Sequence, residues 1–194
     1  MEDNILKDFL NLYKPSNDLQ KANPEIIKAF TNKLPKPIID LWTNYGFGSY
    51  GDGIIKVINP LEYMNSLFAW LGKRDFSKIP IFINAFGDIF YYRQLTETEN
   101  DISLLNIHTR KISVCGYSYQ EFFTKYIKAD IMNINLKKEL FNQAKEKLGN
   151  LESKEIYFFV PALILGGAEN IKYIQKGNAV THQLLLLELG KSSR

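Results

Sequence analysis

The 194 residues, 45% hydrophobic and 13% aromatic, are enough for a sizeable core and exclude global disorder. A net charge of +3, from 24 basic and 21 acidic residues intermixed along the chain, excludes the concentrated basic face that nucleic acid requires of a main partner. The single cysteine, Cys115, excludes an internal disulfide and a multi-thiolate zinc site, and it fits a reducing compartment.

The segment from Met1 to Tyr13 carries acids where a secretory signal has a basic flank. No apolar run approaches the roughly 20 residues that cross a bilayer, so the sequence reads as cytoplasmic and free of membrane. Residues 3 to 13 pattern as a short amphipathic helix with Ile5, Leu6, Phe9 and Tyr13 on one face. Asn23-Pro24-Glu25 opens a second helix that ends near Lys33. A third begins at Pro37, with Ile38, Leu41, Trp42 and Tyr45 at i, i+3, i+4 and i+7, and Gly46 stops it. Between Phe47 and Gly53 small flexible residues alternate with aromatics, a composition that exposes rings and backbone amides on a tight loop. Ile54 to Ile58, interrupted only by Lys56, is a strand with one face in the core. Asn59-Pro60-Leu61-Glu62 caps a helix carrying Met64, Leu67, Phe68 and Leu71, closed by Gly72.

From Ile79 the period becomes extended. Ile79 to Asn84 and Ile89 to Arg93 flank the turn Ala85-Phe86-Gly87-Asp88, and Ile102 to Ile107 and Ile112 to Cys115 follow with a turn at Thr109-Arg110. Such short connections demand an antiparallel meander. Ser118 to Glu121 is a capping box opening a helix faced by Tyr119, Phe122, Phe123 and Tyr126. Beyond Ala129 the chain is helix-rich: Leu136 to Leu148 forms one helix ended by Gly149, and Asn178 to Leu189 another ended by Gly190, with Leu185, Leu186 and Leu189 on one side. Between them, Tyr157 to Gly167 is a buried strand or loop. The expectation is an α+β fold with an antiparallel meander of about five strands packed against helices from both ends of the chain. Residues 1–128 form its α+β region, and 129–194 a helix-rich region packed with it as one unit.

No catalytic constellation emerges. Cys115 and His108 are the one thiol and imidazole combination, but a turn at Thr109-Arg110 sets Cys115 opposite Leu104, several residues from His108. Cys115 therefore reads as a small buried strand residue, and His182 as a core histidine bonded to backbone. Two histidines without a cysteine cluster make no metal site. Gly166-Gly167 lacks the spaced glycines and lysine of a phosphate loop and reads as a strand-to-helix turn; no cofactor is expected. Asp52 and Asp88 sit in glycine turns with nothing in the sequence to bring them together. Tyr45, Phe47 and Tyr50 fit either core packing or a recognition surface.

Leu34-Pro35, Leu41-Trp42, Tyr45-Gly46-Phe47-Gly48, Gly51-Asp52-Gly53 and Asn59-Pro60 resemble the signature of the GAD-like family. Ala85 to Asp88, Tyr157, Phe159 to Leu163, Leu165 to Gly167 and Asn178 to Val180 with His182 resemble the C-terminal domain of type VI secretion immunity proteins of the Tdi kind. More distantly, the first half is similar to the SUKH immunity proteins. The resemblance implies a bacterial, non-enzymatic, antitoxin-like protein whose partner is a cognate toxin, in several relatives a nuclease. An alternative is a module binding a small ligand, a nucleotide or tRNA. A nuclease has a basic cleft, so carboxylates on exposed glycine loops would complement it. On that ground the expected partner surface joins Phe47, Tyr50 and Asp52 to Asp88 at the hairpin tip.

Overall fold

The strand sequences IPIFIN and IFYY are nearly unbroken apolar runs, a pattern that needs burial on both faces of a sheet. The computed structural model describes residues 5–192, and in it that burial is met by helices on each side. Six strands, β1 (Gly48–Tyr50), β2 (Ile55–Val57), β3 (Lys78–Asn84), β4 (Ile89–Gln94), β5 (Asn100–Asn106) and β6 (Lys111–Gly116), form an antiparallel meander in sequence order. β7 (Glu155–Phe159) and β8 (Ile174–Asn178) make a separate two-stranded ribbon. The five expected strands are all present. The sixth, β1, lies within the stretch read as a loop, because Gly48-Ser49-Tyr50 carries no periodic signal of its own.

Eight helices surround the sheets among the described residues: α1 (Ile5–Leu12), α2 (Pro24–Phe30), α3 (Lys36–Asn44), α4 (Pro60–Leu71), α5 (Tyr119–Thr124), α6 (Asp130–Asn135), α7 (Lys138–Leu148) and α8 (Ala179–Ser192). The expected start of the first helix, at residues 3 and 4, lies outside the described residues. On one face of the sheet Phe82, Phe90, Ile102 and Leu104 meet Phe9 of α1, Trp42 of α3 and Phe122 and Phe123 of α5 in one buried cluster. On the other face Ile83, Ile89, Tyr91 and Leu105 cluster with Tyr63 and Leu67 of α4 and Leu186 of α8. Residues Ile81 to Tyr92 are all buried because each strand in this stretch has a helical layer on both sides.

The local signals hold where capping chemistry sets them. Asn23 accepts from the Glu25 N–H, Asn59 from Leu61, and Ser118 from Glu121, each opening its helix as read. Trp42 is fully buried, with Phe30 and Phe47 against its ring.

Three details differ from the sequence reading. Tyr45 is 39% exposed, since α3 ends at Asn44 and the i+7 position no longer continues the helical face. Gly190 lies inside α8 instead of ending it; its carbonyl accepts from Arg110 Nη1 at 2.6 Å, and a Cβ there would come within 2.2 Å of that nitrogen. The buried side of α8 is Ala179, Gln183, Leu186 and Leu187, with Leu185 outward, because four consecutive leucines leave the helical phase undetermined.

Candidate functional site

The predicted partner residues fall into three different environments. Phe47 is buried, its ring 5.4 Å from that of Trp42. Tyr50 is 0% exposed; it sits 5.8 Å from the Phe9 ring and donates its hydroxyl to the Gly46 carbonyl at 2.9 Å. Burial pushes its phenol well above the ordinary range. The reading that this loop displays its rings is thereby corrected: the glycines let the backbone turn so that the aromatics point inward. Gly46 adopts φ 100° against the Gln20 carbonyl, where a Cβ would approach to 2.3 Å. Asp52 alone remains at the surface, held at φ 61° with its carbonyl accepting from Lys145 at 3.2 Å.

Asp88 is also corrected. It is 0% exposed and belongs to a hydrogen-bond network within the β3–β4 hairpin. Its Oδ1 accepts from the Ile107 N–H and its Oδ2 from Asn84 Nδ2, both at 2.9 Å. Asn84 in turn accepts from the N–H groups of Phe86 and Asp88 and donates to the Asn135 carbonyl of α6. The tip is covered by the C-terminal region. Tyr157 donates its N–H to the Ala85 carbonyl at 2.8 Å, Gln183 donates Nε2 to the Gly87 carbonyl at 2.8 Å, and Phe159 stacks on Phe86 at 5.6 Å. Gly87 has φ 86°, and a Cβ there would come within 2.6 Å of the Ile156 side chain, so the hairpin is pressed against β7.

Two further polar groups lock this seam, and the sequence reading assigned neither to it. Lys56 is buried within β2, contrary to the expectation of a strand with one solvated face. Its ammonium donates to the carbonyls of Glu152, Ser153 (3.2 Å) and Glu155 (2.8 Å) in the segment leading into β7. Desolvation lowers it to about 8, opposed by the charges of Glu155 and Asp18. Gln183 accepts from the Ser66 hydroxyl at 2.8 Å through Oε1, and its backbone carbonyl accepts from Trp70 Nε1 at 3.0 Å, tying α8 to α4. A lysine alone in an apolar run and a glutamine on the apolar side of a leucine-rich helix were the available signals.

The candidate nucleophile fails on environment as well as position. Cys115 is buried at a bulge where Ser103 pairs with Val114 and Ile102 with Gly116, so Leu104 lies opposite Ser113 and not opposite Cys115 as expected. Burial pushes its thiol up to about 11, with Tyr126 and Ser113 as hydrogen-bonding neighbours. His108 is occupied elsewhere: Nε2 lies 2.8 Å from the Phe86 carbonyl and so carries the proton, and the ring meets Phe159 edge-on at 5.1 Å. His182 is half-buried and stacks on Phe158 at 3.6 Å; its Nε2 has no hydrogen-bond partner among the described residues, where a backbone bond was expected. Desolvation and the nearby His108 lower it to about 4. Gly166-Gly167 joins a 3₁₀ turn to the approach of β8, a strand-to-strand link where a strand-to-helix turn was expected.

Among the described residues no three His, Cys, Asp or Glu side chains gather as metal ligands would, and no helix is long and apolar enough to cross a membrane. An open cleft of about 730 Å³ runs between α6, α7 and residues 169–171. It contains neither histidine nor cysteine, and its Lys137 ammonium is paired with Glu169 at 2.7 Å.

Two family descriptions match this chain, in the order the residues suggested. "GAD-like domain" covers residues 4–106, more than half of the chain. The chain belongs to the GAD-like family. "T6SS immunity protein Tdi1, C-terminal" covers residues 117–190 and supports a type VI secretion immunity role. Comparison with curated proteins returned no match. Among solved structures, "Crystal structure of Atu4351 from Agrobacterium tumefaciens" superposes with a TM-score of 0.74 at 18% identity, covering 95% of this chain and 89% of that one. At that identity the likeness shows the fold alone. In this GAD-like protein the buried seam lies between the two matched regions, with Lys56 and Gly87 on one side and Glu155 and Gln183 on the other.

Proposed function

We propose that this protein is a bacterial immunity protein that acts in the cytoplasm, neutralising a cognate type VI secretion nuclease toxin by binding it directly and without catalysis. The match of residues 117–190 to the immunity C-terminal region carries the reading. The inward-facing Cys115, His108 and Asp88 support it, since each is committed to the core. The regions 1–128 and 129–194 act as one body in this reading, because hydrogen bonds of buried Lys56 and Gln183 cross between them.

Of the surface expected from sequence, Asp52 is the part that a toxin can reach. The exposed carboxylates Glu97 and Glu99 on the β4–β5 turn add negative charge on a body whose net charge is +3. The test is co-expression with the toxin encoded beside it, followed by co-purification and a nuclease assay. Stoichiometric binding with loss of nuclease activity is the expected result. If the neighbouring gene product neither binds nor loses activity, the reading fails and the small-ligand, nucleotide or tRNA alternative takes its place.

A further inference from the structure

The two edges of the six-stranded sheet are treated differently. The β1 edge is closed by the segment before α2: the Ser16 N–H donates to the Ser49 carbonyl, Gly51 donates to Lys14, and Gln20 and Phe47 exchange a pair of bonds at 2.8 Å. The β6 edge pairs inward with β5, and no backbone bond from its outer side is made to any described residue. Exposed edges of this kind are ordinarily blunted by proline, several charges or a covering element. Here the exposed part reads Lys111-Ile112-Ser113-Val114, with Ile112 50% and Val114 37% exposed, and Tyr117 just beyond it 82% exposed.

We propose that β6 is a homodimerisation edge, and that its occupant is the β6 strand of a second copy of this chain, paired antiparallel about a two-fold axis through Ser113. The residues of β6 are self-complementary in that register, and a slip of one residue breaks the match. Ile112 pairs with Leu105 and Val114 with Ser103, which puts both on the sheet face covered by α4 and α8; Lys111 and Ser113 point to the face covered by α5. A two-fold axis perpendicular to the sheet keeps like faces together, so Ser113 opposes Ser113 and Ile112 opposes Val114 of the second copy, twice by symmetry. Aliphatic cross-strand pairs of this kind are favourable contacts in a continuous sheet.

Charge selects the same arrangement. Lys111 then lies opposite Cys115 of the second copy, on the face where that copy's α5 is seated directly over Gly116, the Phe122 N–H lying 2.8 Å from where a Cβ would be. The Glu121 carboxylate of α5 is held at that strand end, accepting the Tyr117 N–H at 2.9 Å through Oε2, with only a loose 3.8 Å contact to Lys125. Lys111 has no ion pair among the described residues. Each copy therefore brings a free cation to one end of the strand and a fixed carboxylate to the other, and antiparallel pairing sets them face to face at both ends. A register slipped by one residue would place Ile112 and Val114 opposite side chains of the other face and lose these pairs. A strand pair of this length buries less than the ~800 Å² per partner of a standard interface, so the dimer is concentration-dependent.

The test is sedimentation equilibrium of the full chain across a wide concentration range, with disulfide trapping to fix the register. The expected result is a mass rising from 22.4 kDa towards twice that value, and at least tenfold weaker association for Ile112→Lys and Val114→Lys with unchanged circular dichroism. Directly opposed strand residues have Cα atoms ~4.5–5.5 Å apart, within disulfide reach, so with the native thiol removed by Cys115→Ser, Ser113→Cys cross-links under mild oxidation while Lys111→Cys does not. A mass that stays at 22.4 kDa throughout with no Ser113→Cys cross-link overturns the proposal. So does a dimer indifferent to Ile112→Lys, or equal trapping of the two cysteine variants, either of which places the interface elsewhere. Trapping of Ser113→Cys only onto a co-expressed toxin assigns this edge to the toxin and equally overturns it; toxin neutralisation by a monomer leaves the functional reading intact.

Discussion

Replacing Asp88 with alanine separates a surface carboxylate from a structural one. The side chain is fully buried and accepts two hydrogen bonds, from the Ile107 N–H and from Asn84 Nδ2, each at 2.9 Å. Hydrogen bonds to a charged group contribute about 1.5–3 kcal/mol each, and a buried donor left unpaired costs about 1–3 kcal/mol. Removing a buried charge recovers part of its desolvation, so a net loss of about 3 kcal/mol is expected. For a chain of this size each kcal/mol moves the melting temperature by about 2–4 °C, so Asp88→Ala should melt about 6–12 °C below wild type. The assay is thermal unfolding followed by circular dichroism, with a pull-down of the toxin at a temperature where the variant is folded. Toxin binding should persist there. A melting temperature within about 2 °C of wild type together with lost toxin binding would refute the structural assignment and restore Asp88 to the partner surface.

Trp42→Ala should destabilise the fold by about 3–5 kcal/mol in urea titration, since a fully buried indole leaves a cavity beside Phe30 and Phe47. Asp52→Arg, at an exposed site, should leave stability unchanged within about 0.5 kcal/mol, and any effect should fall on toxin association. Burial lowers the imidazoles of both His108 and His182, that of His182 to about 4, so below their ordinary 6.5 the unfolded chain takes up protons first. The histidine contribution should accordingly be full above pH 6.5 and fall on acidification, a slope that His182→Gln reduces. Lys56 acts in the same direction at alkaline pH. With its ammonium lowered from 10.5 to about 8, the unfolded state binds the extra proton between those values, so its desolvation cost is relieved as pH rises through that window. Lys56→Met should flatten that rise while leaving the Glu152 and Glu155 carbonyls without their donor.

The sequence by itself determined the local grammar. Helix starts at Asn23, Asn59 and Ser118 were legible because a capping side chain bonds two or three residues away, and the meander because its connections are too short for crossovers. The family was legible too, since glycine and proline positions fix backbone geometry and so stay readable as spaced fragments. The tertiary structure decided which side of each element faces inward.

A glycine-rich turn carrying aromatics and a carboxylate has the same sequence whether solvent or another layer meets it, and here the C-terminal ribbon covers the Gly87 turn while Phe47 and Tyr50 fold beneath their own loop. Lys56, Gln183 and Asp88 look like surface residues by type, yet each is buried because partners 96, 117 and 19 residues away satisfy it. Such pairings depend on contacts between distant segments, and no local pattern encodes them. The phase of α8 was hidden for a related reason: with leucine at 184 through 187, hydrophobicity is uniform around the helix. Tertiary contacts set its rotation, the polar fit of Gln183 between Ser66 and Gly87 and the close approach of Gly190 to Arg110 among them.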